Sequence, residues 1–207
     1  MRLNILCFLA LWIGALQLQA QSSDYQNRFS ASIIAGINMA QIDGDDAAGY
    51  TKPGLNLGAR GTARLAPIWD LGVEILFSQQ GSQSPSLQGA PRNFYLHLNN
   101  IEVPVLILLK DWEISTEDGK DSYHRMQFGA GLSYNRILNA TVEVNGQDDP
   151  AVIDNFRKDY VMIVADLTFY FTKNWGLNVR WQRAPMNIRK DTYFNPYMFS
   201  LRAIFTL

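Results

Sequence analysis

Cysteine is all but missing from this sequence: Cys7 is the one example in 207 residues. It lies in an N-terminal stretch with the features of a leader. An exported chain would therefore carry no disulfide and no thiolate for catalysis or zinc. Histidine is nearly as scarce, with His97 and His124 alone, so no His/Cys metal set can be drawn. Positive charge is not in excess, at 18 Lys and Arg against 19 Asp and Glu, which gives no reason to expect nucleic acid as a partner. After the leader no apolar run approaches the ~18 residues of a membrane helix. There is no Gly-rich phosphate loop opening a helix, no internal repeat and no low-complexity tract. The missing helix does not exclude a membrane, because spanning strands give a far weaker signal per segment.

The N-terminus reads as a signal peptide over residues 1–20. Arg2 supplies the positive n-region, Ile5 to Leu16 form an apolar run too short to span, and Ala20 is a small residue before Gln21. Leu18, at minus three, is less favoured than alanine. No lipid-attachment cysteine stands at the expected cut. A short lead, 21–27, then precedes a single domain, 28–207.

That domain alternates. Eight segments place apolar residues on one parity and polar residues on the other, with turn-rich stretches between them. The fourth is the most apolar, and in it Ile101, Val103, Val105, Ile107 and Leu109 share a face. The opposite face holds Asn100, Glu102, Leu106, Leu108 and Lys110. In the third, Trp69, Leu71, Val73, Ile75 and Phe77 alternate with Asp70, Gly72, Glu74 and Ser78. In the eighth, Tyr197, Phe199, Leu201, Ala203 and Phe205 alternate with Ser200, Arg202 and Thr206. The others, beginning near Phe29, Leu55, Met126, Val161 and Trp175, follow the same rule.

No charge falls on the apolar parity of any segment, while the other parity collects Arg60, Arg64, Asp70, Glu74, Glu102, Lys110, Arg125, Asp166, Arg180 and Arg202. A soluble barrel would enclose the apolar parity and expose its charges to water. Here the apolar parity is rich in aromatics at segment ends, where membrane barrels place their girdles. The pattern predicts an all-β, eight-stranded antiparallel up-and-down transmembrane β-barrel, with lipid outside and ionised groups within. Connections agree: tight turns at Ala66-Pro67 and Thr172-Lys173-Asn174 alternate with long stretches from Gln41 to Pro53, Gln79 to Asn93, Asn139 to Arg157 and Ala184 to Pro196. Asp111 to Ser122 is of moderate length. Short turns and both termini then face the periplasm. Phe29, Trp69, Phe171, Trp175 and Phe205 are expected at the periplasmic rim, and Phe77, Tyr134, Trp181 and Tyr197 at the outer one. Pro104 is the misfit, since proline removes a ladder donor and a closed barrel has no edge to put it on; a bulge or a broken pairing is expected.

Several stretches together resemble a known family. They are Gly36-Ile37-Asn38, the Gly44-Asp45 loop, Pro53-Gly54-Leu55-Asn56-Leu57-Gly58, Glu74-Ile75-Leu76-Phe77-Ser78-Gln79-Gln80-Gly81, and Ile101 to Lys110. In order and spacing they resemble the PorT-like outer-membrane β-barrels of Bacteroidetes-type bacteria, over nearly the whole mature chain. The resemblance implies a Gram-negative outer-membrane location and insertion by the outer-membrane assembly machinery. Many such barrels end on an aromatic residue; this chain ends on Leu207, with Phe205 two places before it. The namesake's place in a type IX secretion system implies an accessory secretion role as an alternative function.

The inward charges Arg60, Glu74, Glu102, Asp166, Arg180 and Arg202 should lie near mid-depth, three acids and three bases that neutralise one another and fill the lumen. A lipid-modifying enzyme is the rival reading. It would need a nucleophile with a base in reach, and two histidines on the outward parity near opposite rims do not supply one. The acidic stretches Asp43-Gly44-Asp45-Asp46 and Asp148-Asp149 lack calcium-loop spacing. The sequence thus points to a non-enzymatic barrel without cofactor or metal, in contact with outer-membrane lipid, acting through outer loops or periplasmic turns on an unidentified envelope partner or secretion component.

Overall fold

The computed structural model describes residues 28–43, 52–83, 94–115, 122–144, 147–148, 157–188 and 195–207. The expected leader and lead, the long loops' tips and, of the acidic stretches, Gly44 to Asp46 and Asp149 lie outside the described residues. Among the described residues nine strands follow one another: β1 Phe29–Asp43, β2 Lys52–Ala66, β3 Trp69–Gln83, β4 Phe94–Ser115, β5 Ser122–Val144, β6 Gln147–Asp148, β7 Asp159–Tyr170, β8 Trp175–Arg183 and β9 Asn195–Thr206. β6 is a two-residue extension folded back on β5. The other eight pair antiparallel, each with its neighbours in sequence, and β9 closes on β1. Among the described residues no helix is long and apolar enough to cross a membrane; the crossing is made by strands.

The closure is staggered. Starting at Lys110 on β4, the register passes through Gln127, Thr168, Asn178, Arg202, Gly36, Asn56 and Ser78 and returns to β4 at Asn100. One circuit therefore climbs from position 110 to position 100 along the same strand. Eight strands staggered in this way leave an interior that side chains can fill.

Alternation sets the two faces. On β7 from Asp159 to Thr168 and on β8 from Trp175 to Arg180 every second residue is buried and the residues between are exposed. The exposed set is apolar, including Ile33, Ile75, Leu132 and Ile163, whereas the buried set holds Asn38, Glu74, Glu102, Asp166, Arg180 and Arg202. Apolar outside and ionised within inverts a water-soluble fold and matches a wall standing in hydrocarbon.

Of three local features, two depart from the sequence reading and one, at Pro104, settles on the broken pairing rather than the bulge. First, the strands are longer: β4 has 22 residues and β5 has 23, against the ~9–11 that cross a bilayer. The connection expected from Asp111 to Ser122 shrinks to 116–121, and the outer ends of β4 and β5 pair on to Phe94 and Val144. At the outer end of β4 the inward parity persists but its chemistry reverses, with Leu96 and Leu98 buried and Tyr95, His97 and Asn99 alternating with them, because no lipid lies beyond the membrane to demand apolar residues outside.

Second, Pro104 causes no bulge. Register between β3 and β4 is the same on both sides of it, and only the positions Glu74/Pro104 and Ile75/Val103 drop out. Both require a donor from residue 104 to the Glu74 carbonyl, which proline lacks. Pro104 keeps its pairing with Ser133 on β5, so the loss is confined to one side. The bulge in β4–β5 pairing falls instead at Asn99/Asn100.

Third, Trp112 has φ of 56°, a left-handed conformation that costs a bulky residue energy. Its N–H donates to Asp111 Oδ1 at 2.7 Å. Even positions on β4 face inward, but this turn frees Trp112 from that rule. Its ring lies edge-on to outward-facing Phe169, with centroids 6.2 Å apart. Arg125, expected on the inner parity, holds its guanidinium 5.4 Å from the Trp112 ring.

Candidate functional site

Two ion pairs are set by neighbouring strands. Register places Arg60 on β2 opposite Glu74 on β3, and Asp166 on β7 opposite Arg180 on β8. Barrel closure then brings the pairs together. Arg180 reaches across to Glu74 with two parallel hydrogen bonds, Nη1 to Oε2 at 2.8 Å and Nη2 to Oε1 at 2.9 Å. The same Nη2 lies 2.6 Å from Asp166 Oδ2. Arg60 Nη2 approaches Glu74 Oε1 at 2.6 Å and Asp166 Oδ2 at 3.5 Å. Arg202, from β9, stands 3.5 Å from each carboxylate and donates through Nε to Asn178 Oδ1 at 2.9 Å. All five side chains have essentially no exposed surface. Removing these charges from water is costly, and the shared, bidentate geometry offsets it.

Space for the cluster comes from glycine. A Cβ on Gly129 would stand 2.1 Å from Asp166 Oδ1, and one on Gly36 would stand 2.7 Å from the Arg202 side chain. Beside the cluster the lumen is filled by two apolar groups, Ile34, Leu76 and Ile204 on one side and Leu106, Leu108 and Val164 on the other. Charge is thus only part of the filling, which corrects the expectation of a lumen committed to its own charges.

Glu102 does not make an ion pair with the three arginines. It lies farther toward the outer end, where Gln80 Nε2 donates to its Oε1 at 2.6 Å and Gln182 Nε2 to its Oε2 at 3.5 Å. Tyr160 donates to Gln80 Oε1 at 2.9 Å, and Asn100 donates to the Tyr160 hydroxyl at 3.1 Å. The expected six-member network is therefore a five-member ionic hub and an amide layer that holds the third acid.

Beyond that layer the interior turns apolar. Leu96, Leu98, Val142, Tyr160, Met162, Ala184 and Ile188 form one buried cluster. Ile188 comes from the β8–β9 connection and is held by a hydrogen bond from Arg157 N to its carbonyl, 2.7 Å. Sequence reasoning missed this cap because it treated the stretch from Ala184 to Pro196 as an outer loop. The signal was present in the inward parity of Leu96 and Leu98.

The opposite end is open. A cavity of about 200 Å³ lies between Arg64, Asp70, Lys110, His124 and Lys173, with Gln127 and Tyr170 among its deeper residues. Lys110 Nζ pairs with Asp70 Oδ1 at 2.9 Å. His124, expected to face outward, lines this mouth. Partial burial and the Lys110 ammonium hold its pKa below the usual histidine value. His97 stands at the other end, where its Nε2 shares a hydrogen bond with Asn99 Oδ1 at 3.1 Å. Burial and the Lys52 ammonium depress it likewise. The two imidazoles are thus at opposite ends. Among the described residues no group of His, Cys, Asp and Glu could hold a metal ion.

The outer face carries the expected aromatics. Phe29, Trp69, Phe171 and Trp175 are exposed at the strand ends around the mouth, and Trp175 packs on Phe205 with centroids 4.8 Å apart. Trp112 and Phe169 join this rim. Toward the other end, Phe77, Tyr134 and Trp181 each precede by two positions an outward polar residue, respectively Gln79, Arg136 and Arg183; Tyr197 pairs with Arg183.

Comparison with known proteins agrees with this geometry. The model of a family described as outer membrane protein beta-barrel domain matches residues 19–188. Ail, the attachment invasion locus protein of Yersinia pestis, superposes with a TM-score of 0.51 at 14% identity, covering 86% of this chain and 98% of Ail. Neisserial surface protein A gives 0.44 at 14% identity, over 86% and 97% of the two chains. The N-terminal barrel of Pseudomonas aeruginosa OprF gives 0.40 at 10%, over 86% and 97%. At such identities the likeness is one of fold, and it rests on Ail. No curated protein matches the sequence. Family and fold together indicate a barrel of the outer membrane.

Proposed function

The chain belongs to the outer membrane protein beta-barrel domain family, and from that premise we propose a closed, non-enzymatic barrel that works through its ends. The observation that carries this reading is the ionic hub: Arg60, Glu74, Asp166, Arg180 and Arg202 meet without exposed surface in the middle of the lumen. A lumen so filled offers no route for a solute, and a wall committed to lipid offers no site. Specificity then belongs to the outer loops and the short turns, which contact another component of the envelope. In this reading residues 1–20 are removed on export, residues 28–207 form the working domain, and the likeness to PorT-like barrels extends to kinship. That neither histidine is paired with a nucleophile among the described residues favours a non-enzymatic role.

Two measurements test this. Purified protein in a planar bilayer is expected to give no steady conductance; a stable ohmic current would overturn the closed-lumen reading. A deletion strain is expected to keep an unchanged lipid A profile, and a changed profile would favour an enzyme. Loss of exported proteins in that strain would identify the partner as a secretion machine.

A further inference from the structure

At the short-turn end β4 and β5 run on past both of their neighbours. Pairing with β3 stops at Leu109 and pairing with β7 at Met126, whereas the β4–β5 ladder continues to Ser115 and Ser122. In this projecting ribbon Asp111 faces Met126 and Glu113 faces His124, so Trp112 and Arg125 share the row between them. Trp112 holds φ of 56°, and backbone strain of that kind collects where a ligand is clamped. Its consequence is an indole that is 51% exposed and continuous with the membrane-facing aromatics. The ring stands edge-on to Phe169, which in turn meets Phe171 with centroids 5.3 Å apart. The Tyr123 hydroxyl donates to the Phe171 carbonyl at 3.2 Å and ties the ribbon to this rim. The Arg125 guanidinium lies over the indole, 5.4 Å from its centroid, a stacking that leaves in-plane N–H groups directed beside the ring. Its Nε has no hydrogen-bond partner among the described residues. Asp111 and Glu113, both exposed, flank the row. One carboxylate accepts the Trp112 N–H at 2.7 Å and the other the Ser122 hydroxyl at 2.6 Å.

We propose that Trp112 and Arg125 hold the headgroup of a phosphatidylethanolamine-type phospholipid in the leaflet at the short-turn end. The aromatic rim sets the depth, since amphipathic rings gather at the level of lipid headgroups. At that level the guanidinium meets a phosphodiester, which its planar fork of donors suits. Charge selects the headgroup. One cation between two carboxylates complements a zwitterion, with phosphate on Arg125 and the primary ammonium beside Glu113 and Asp111. An anionic glycerol headgroup brings no cation to those carboxylates, and a choline headgroup has no N–H to donate to them. This inference stands apart from the closed-lumen reading, since it needs neither a path through the barrel nor an occupant of the lumen.

The test is native mass spectrometry of the full barrel released from micelles. It is titrated separately with phosphatidylethanolamine, phosphatidylcholine and phosphatidylglycerol of matched acyl chains. The first phosphatidylethanolamine is expected to bind about tenfold more tightly than either competitor, the scale of one hydrogen bond to a charged group. Arg125→Gln is expected to bind it about tenfold more weakly for the same reason. Glu113→Gln should keep the lipid but narrow its preference over phosphatidylcholine. Trp112→Gly removes the indole at a position whose φ glycine adopts without penalty, so this variant is expected to fold and to lose the lipid. Arg136→Gln, at the other rim, should bind as the parent does. Heat-modifiable gel migration verifies that each variant is folded. Equal retention of the three lipids would identify ordinary annular lipid and overturn the proposal. So would a preference for phosphatidylglycerol, or undiminished phosphatidylethanolamine binding in folded Arg125→Gln and Trp112→Gly.

Discussion

The two ends of the lumen are built from opposite materials. At the end with the short turns, Arg64, Asp70, Lys110 and His124 surround an open, polar cavity. At the other end Leu96, Leu98, Met162 and Ile188 meet as a buried apolar cap, each essentially unexposed. Between them the ionic hub separates one environment from the other. The contrast teaches that a narrow barrel can divide its interior: one end resists water by packing, the middle by mutual neutralisation, and one end admits it.

The largest effect should come from the divider. Glu74→Ala leaves three buried guanidiniums facing one carboxylate, and breaking a buried ion pair costs about 3–5 kcal/mol. Urea unfolding of the refolded protein in micelles would read this as a lower midpoint. A change within error would mean that water enters the hub and that the division is nominal.

Next comes a direct contrast of the ends. Leu98→Ala in the cap should cost about 2–5 kcal/mol through lost burial and a residual cavity. Ser32→Ala at the mouth removes a hydroxyl that shares a 2.9 Å bond with Thr206 and should cost about 0.5–1.5 kcal/mol. Equal losses at the two sites would erase the contrast.

A smaller effect concerns pH. The His124 pKa is depressed by partial burial and Lys110, so the unfolded chain binds the proton more readily than the folded one. Its contribution to stability is full above the ordinary imidazole range and declines as pH falls through it. His124→Asn should flatten that acid-side decline, measured by unfolding midpoints between neutral and mildly acidic pH. The smallest effect is expected at the surface: Arg136 and Asp159 form an exposed pair at 3.2 Å, and Arg136→Gln should leave the midpoint unchanged.

The legibility of these features follows their physics. Lipid against one face and a polar filling against the other impose a period of two, so the wall from Ile101 to Leu109 and the inward direction of Glu74, Asp166 and Arg180 were readable. The outer ends of β4 and β5 were not, because beyond the bilayer a strand is free of that demand. Trp112 was unreadable too, since its left-handed backbone releases it from the parity on which the reading depends. Pro104 announced a broken pairing, but only the ladder revealed that the missing donor belongs to the Glu74 carbonyl.

The amino-acid order by itself determined which side of each strand meets hydrocarbon, where the tight turns fall, and that Arg60, Glu74, Glu102, Asp166, Arg180 and Arg202 are enclosed. Those follow from local alternation and turn chemistry, which need no knowledge of distant partners. Tertiary structure decided that Arg180 grips Glu74 across the lumen, that Glu102 sits among amides, that Ile188 caps one end and that the other stays open. Such contacts depend on the stagger with which the sheet closes, a property of eight strands acting together and of no single segment.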